Sequence, residues 1–174
     1  MKINRAYIKL NNIKIETLFN YDEGIFKDLL IQYKECYDEA LAPTFLYLLE
    51  EYIKIKYFGY KIMFVPSSIE KSTLRGFNHL QLIFKNVRLK TINGLLMKEE
   101  LIQEGKDFKQ RSKMVDNYVY HGEKLDKVLI VDDVITTGSS VLGVYNAIKP
   151  HANKVKVLVL ARKENAFILK NKCV

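Results

Sequence analysis

The chain has 174 residues, 48% of them hydrophobic and 28% charged, and a formal net charge of +8. That length defaults to one domain with a real core, and no low-complexity tract points to disorder or a fibrous class. Two cysteines, Cys36 and Cys173, exclude a disulfide framework or a CxxC metal pair, so no zinc is expected. The first ten residues spread their charges with no apolar signal core, and no run is long enough to span a bilayer; a cytoplasmic protein without membrane insertion is expected.

In chain order, residues 6–19 alternate apolar and polar around Asn11-Asn12 and predict a small hairpin. Phe26, Leu29, Leu30 and Tyr33 repeat at helical spacing. Pro43-Thr44 suits the opening of a second helix with the face Leu46, Leu49, Ile53 and Tyr57, ended by Gly59. Tyr60–Val65 reads as a strand closed by Pro66, then a loop from Ser67 to Arg75. Gly76–Asn86 reads as a helix, with Leu80, Ile83, Phe84 and Val87 facing inward. Leu95–Met97 suggests a short strand, and residues 99–126, polar with few apolar anchors, suggest a mobile loop. Within that loop Lys106, Lys109, Arg111 and Lys113 stand against Asp107 alone, a basic cluster that suits a phosphorylated ligand, a nucleic acid or plain solvation.

The most informative segment is Val128-Leu-Ile-Val-Asp-Asp-Val-Ile-Thr-Thr-Gly-Ser-Ser140. Lys127–Val131 is a strand buried on both faces, and a helical pattern runs from Val141 to Ile148, stopped by Pro150. Val155–Ala161 is a further strand. Alternating strands and helices predict a parallel sheet with right-handed crossovers. A loop leaving the C-terminal end of such a strand is where open α/β sheets bind ligands. Thr136, Thr137, Gly138, Ser139 and Ser140 offer N–H and hydroxyl donors at a helix start, which favours an anion. Gly138 permits positive φ and close approach to a phosphate. Asp132 and Asp133 repel that phosphate but suit an adjacent diol, with Mg²⁺ held directly or indirectly.

This segment resembles the 5-phosphoribosyl-1-pyrophosphate (PRPP) signature of type I phosphoribosyltransferases. Arg75-Gly-Phe-Asn78, Leu18-Phe-Asn-Tyr21, Ile31-Gln-Tyr-Lys34 and Asp38 further resemble segments of the ComF late-competence family. His79 stands where that family usually has Gln, and Gln110, Arg111 and Asn117 match a further stretch only loosely. The family commonly begins with a four-cysteine zinc module, which these residues do not supply. The resemblance implies an α/β fold of the type I phosphoribosyltransferase kind, a parallel sheet with helices on both faces. A small N-terminal α+β hood over residues 1–58 and a core over 59–174 would form one unit. It implies a PRPP or ribose 5-phosphate ligand with Mg²⁺, and a link to DNA uptake with single-stranded DNA and a competence helicase as partners. Asp132 and Asp133 would be the catalytic and ligand-binding acids, with Ser67, Ser68 and Arg75 on pyrophosphate. If the protein is catalytic, it displaces pyrophosphate from the anomeric carbon of PRPP; no nucleobase pocket is legible. A salvage phosphoribosyltransferase for a purine or pyrimidine, and a non-catalytic single-stranded DNA-binding or adaptor module, are the competing readings.

Overall fold

The structure is a computed structural model that describes residues 1–66, 78–97 and 117–163. Seven strands are present among these: β1 (Ala6–Leu10), β2 (Ile13–Asn20), β3 (Lys61–Phe64), β4 (Leu95–Met97), β5 (Tyr118–Tyr120), β6 (Leu125–Ile135) and β7 (Ala152–Arg162). The helices are α1 (Phe26–Glu35), α2 (Glu50–Lys56), α3 (His79–Ile83) and α4 (Ser139–Ile148).

The main sheet has the order β1-β2-β7-β6-β3. β2, β7, β6 and β3 run parallel, and β1 pairs antiparallel with β2 across the turn at Asn11-Asn12. The first hairpin therefore extends the same sheet that residues 59–163 complete. Parallel strands need covered faces, and both are covered. Strand alternation sends Leu129, Val131, Leu158 and Leu160 into one core with Phe26, Tyr33, Phe45 and Ile53. It sends Val128, Ile130, Val157 and Val159 into a second core with Val141, Val144 and Ile148 of α4. The expected parallel α/β fold with helices on both faces is present. Val128, Leu129, Ile130 and Val131 are all fully buried, so Leu129→Ala would cost about 2–5 kcal/mol through lost transfer energy and a cavity.

Three local expectations are corrected. Pro43 lies inside a 3-10 helix, Glu39–Phe45, rather than opening an α-helix. The chain turns before α2 begins at Glu50, with Glu50 and Glu51 in its first turn and Lys54 and Lys56 in its last, which suits the dipole. The predicted inward face nevertheless holds, since Leu46, Leu49, Ile53 and Tyr57 are all buried. Second, the strand at Lys127–Val131 runs on to Ile135, because β7 continues to pair with it as far as Arg162. Asp132 and Asp133, expected at the strand's end, therefore sit within β6. Third, the polar stretch 99–126 ends in β5, which pairs with β4 as a small antiparallel sheet. Residues 98–116, which include Lys106, Lys109, Gln110, Arg111 and Lys113, lie outside the described residues, as do Ser67, Ser68 and Arg75. No helix among the described residues is long and apolar enough to cross a membrane.

Candidate ligand site at the carboxyl end of the sheet

β6 ends at Ile135 and the chain turns through Thr136 and Thr137 into α4. Gly138 makes the turn possible. Its φ of +76° is a region that a side chain strains, and an added Cβ would sit 2.6 Å from Leu10 Cδ2. The Leu142 N–H donates to the Gly138 carbonyl at 2.9 Å, which starts the helical ladder. The N–H groups of Ser139, Ser140 and Val141 precede that first bond and have no intrahelical acceptor. Thr137 Oγ1 accepts a long 3.4 Å contact from the Ser139 N–H and lies 3.0 Å from Ser139 Oγ. Thr136, Thr137 and Ser140 are exposed. The turn is thus a small set of hydroxyls and N–H groups at a helix start, open to solvent, as the sequence anticipates.

The acids differ from one another. Asp132 Oδ1 accepts from the Asp133 N–H at 2.9 Å. Burial and the neighbouring Asp133 charge push the Asp132 carboxyl well above the ordinary range. Asp133 is also lifted by burial, but hydrogen bonding to His79 and the charge of Lys34 outweigh this and hold it below the ordinary range. Lys34 Nζ pairs with Asp133 Oδ2, and His79 Nε2 lies 2.6 Å from the same oxygen. An ionised carboxylate only accepts, so His79 Nε2 carries the proton in that contact. Both donors converge on Oδ2. Asp133 Oδ1 has no hydrogen-bond partner among the described residues.

Lys34 and His79 are the site residues that sequence reasoning missed. A lone His reads as structural or solvent-exposed, yet His79 is only 5% exposed and reaches across from α3 to β6. Tyr33, adjacent to Lys34, is fully buried and donates its hydroxyl to the His79 carbonyl at 2.7 Å, tying α1 to α3. Asn78 takes the N-cap role, its side-chain oxygen accepting from the Gln81 N–H at 3.1 Å. The Tyr21 phenol is raised by burial first and then by nearby carboxylates, Asp133 among them. The usable signal lay in the short segments that end at Lys34 and just before His79: widely separated in sequence, both residues meet Asp133, and Tyr21 lies close enough to feel its charge. Arg162 ends β7 beside Ile135, and the Lys163 ammonium stands 5.2 Å from the Tyr21 ring centroid.

Among the described residues no three His, Cys, Asp or Glu side chains converge as a metal cage. Asp133 already holds two cationic or donor groups, and burial and the neighbouring Asp133 charge disfavour the charged form of Asp132. This donor set suits Mg²⁺ only where phosphate oxygens and water supply most of the ligands, with Asp132 or Asp133 contacting it directly or through water.

No family profile matches the chain. It is 27% identical over 148 residues to the competence protein ComFC of Streptococcus pneumoniae (strain ATCC BAA-255 / R6), a match covering 83% of this chain. The chain spans 66% of that relative's length. Among solved structures it is similar to a hypoxanthine phosphoribosyltransferase from Staphylococcus aureus, with a TM-score of 0.47, 14% identity, and coverage of 74% of this chain and 66% of that one. A hypoxanthine phosphoribosyltransferase from Trypanosoma cruzi gives a TM-score of 0.44 at 12% identity, covering 74% of this chain and 71% of that one.

Proposed function

The resemblance to the ComF family and to the type I phosphoribosyltransferases, read first from residues, is supported by the curated relative, and from it we propose that the carboxyl end of β6 binds a ribosyl phosphate of the PRPP class. One observation carries this reading: a half-free carboxylate, Asp133, is fixed by Lys34 and His79 at the base of a Thr-Thr-Gly-Ser-Ser turn that opens a helix. The turn residues Thr136, Thr137, Gly138, Ser139 and Ser140 take the 5-phosphate through N–H and hydroxyl donors. Asp133 Oδ1 and Asp132 take the ribose hydroxyls. The two groups stand on one strand-to-turn path, as they must for a ligand that carries a diol next to a phosphate.

Two donors on Oδ2 orient the Asp133 carboxylate before any ligand arrives, so little rotamer entropy is lost on binding. His79 and Lys34 thus act through Asp133 as positioning residues. Mg²⁺, when bound with pyrophosphate, offsets leaving-group charge. In a catalytic version, the protein's own share is to hold the ribosyl phosphate in line and keep the acids at the diol. Ser67, Ser68 and Arg75 keep their proposed place on pyrophosphate. A link to DNA uptake, with a competence helicase as partner, follows by analogy with the ComFC relative, and with it a cytoplasmic location.

The test is a thermal-shift assay with PRPP and with ribose 5-phosphate, each with Mg²⁺, because a ligand that binds only the native state raises its melting temperature. Stabilisation by both is expected. PRPP consumption with a panel of purines and pyrimidines separates a salvage enzyme from the competence reading: turnover with one base supports salvage.

A further inference from the structure

The helical stretch around α2 is apolar on two sides. Helical bonds run through the turn before it: the Tyr47 N–H donates to the Pro43 carbonyl at 3.0 Å, Glu50 to Leu46 at 2.9 Å, Ile53 to Leu49 at 2.9 Å and Tyr57 to Ile53 at 2.9 Å. Leu46, Leu49, Ile53 and Tyr57 take the buried side. The other side carries Tyr47 and Leu48, each 75% exposed, Ile55 at 74% and Phe58 at 82%. A single exposed apolar side chain is ordinary, but four large ones along one face form a contiguous stripe of the kind that marks an interaction surface. A helix apolar all round is normally buried all round. This one is also held rigidly, because Tyr52 and Lys56 both donate to Glu16 on β2.

The stripe has a hole at one end and a knob at the other. Beside Tyr47 and Leu48 lies a cavity of about 330 Å³, lined also by Ile3, Phe19, Pro43 and Phe45 among others. At the far end Phe58 projects into solvent, roughly 16 Å away at about 1.5 Å of rise per residue. Between them stand Glu51 and Lys54, both exposed and paired with each other at 3.3 Å. Acids lead the helix at Glu50 and Glu51, and bases close it at Lys54 and Lys56. A two-fold axis passing between Glu51 and Lys54 lays two such helices antiparallel. Glu51 of each copy then faces Lys54 of the other, and Phe58 of each reaches Tyr47, Leu48 and the cavity of the other. Every feature finds its complement on the same surface, as an isologous contact requires. A parallel pairing sets Phe58 against Phe58 and Glu51 against Glu51, and leaves both cavities empty.

We propose that the exposed face of α2 is a self-association surface whose occupant is a second copy of this chain, docked antiparallel, with Phe58 of each copy seated in the Tyr47–Leu48 cavity of the other and Glu51 paired with Lys54 across the two-fold axis. The aromatic anchor supplies the affinity, and the charge pairs set the direction. The proposal goes beyond the ribosyl-phosphate reading and does not depend on it, since neither Phe58 nor the Glu51–Lys54 pair belongs to the site at the end of β6.

Analytical ultracentrifugation of the full chain across about 1–200 µM tests it, because a contact at the small end of specific interfaces is expected to dimerise in the micromolar range. Phe58→Asp should weaken the dimer about tenfold or more, the scale of a lost anchor. Glu51→Lys and Lys54→Glu should each weaken it about threefold to tenfold, since the axis counts each like-charge contact twice. Mixing those two variants should restore association, because each then meets the opposite charge; the double variant Glu51→Lys/Lys54→Glu should dimerise by itself as the unmodified chain does. A merely sticky patch shows no such rescue. All these side chains are exposed, so the melt of the dilute protein and any stabilisation by PRPP should stay unchanged, which keeps failure here separate from failure of the ligand site. A chain that remains monomeric throughout, whether or not it adsorbs to lipid vesicles, overturns the proposal. So does a Phe58→Asp variant that dimerises unchanged, or a mixture that associates no better than either charge variant alone.

Discussion

Two carboxylates in this fold each hold a lysine, and they are built for opposite purposes. Glu16 on β2 is saturated: Tyr52 donates to Oε1 at 2.6 Å, while Tyr57 and Lys56 donate to Oε2 at 2.5 Å each. Burial works to raise it, but those donors outweigh burial and hold the carboxyl below its ordinary range. Asp133 on β6 is polarised: both of its donors sit on Oδ2, and Asp132, a second acid, stands next to it with one backbone N–H donor that does not outweigh burial and the Asp133 charge. A saturated buried acid locks α2 to the sheet. A half-satisfied pair at a strand end keeps acceptors for something that is not protein.

The largest effect that separates the two is on stability. Glu16→Ala leaves Lys56 and two tyrosine hydroxyls without their acceptor and should cost about 3–5 kcal/mol, because breaking a buried pair strands the partner. Asp133→Asn should cost clearly less, since the site it leaves is partly open to water. Urea denaturation of both variants checks the ranking; an Asp133 variant as damaged as the Glu16 variant would make Asp133 structural.

Gly138→Ala comes next. The positive φ alone costs about 1–2 kcal/mol. The contact with Leu10 adds to it, and the same change should remove stabilisation by a ribosyl phosphate. Thermal melting with and without ligand reads both quantities at once.

How far this was legible beforehand follows from the same residues. The strand, the turn and α4 were written in the apolar run and in Gly138, because local sequence decides them. The buried face of the second helical region was legible too, although Pro43 sat in a 3-10 turn, since periodicity marks the burial of a face better than its hydrogen bonding. Lys34 and His79 were not legible as partners of Asp133, because 99 and 54 residues separate them from it and only the packing of α1 and α3 against β6 brings them together.

A third contrast concerns acid. Glu16 and Asp133 are both held below their ordinary ranges when folded. The stability each contributes is therefore present above the unfolded-state pKa and is lost as pH falls through the folded one. Stability should fall as the pH drops below about 4.5, the ordinary Glu value. Glu16→Gln should flatten that acid limb more than Asp133→Asn, because Asp132 opposes Asp133: its raised carboxyl gives up its proton with rising pH at a cost to the fold. Urea midpoints measured across acidic pH give the comparison.

The smallest expected effect is the most local. Thr137→Ala removes one hydroxyl from the turn and should reduce ligand stabilisation by about 1 kcal/mol, with no change in the unliganded protein, whose Thr137 is exposed. Ribosyl-phosphate binding at the end of β6 is tested by combining that change with Asp133→Asn and measuring the thermal shift with PRPP and Mg²⁺. A clear shift is expected in the unmodified chain and none in the double variant, with the folded spectrum retained in both. An unchanged shift in the double variant would contradict it.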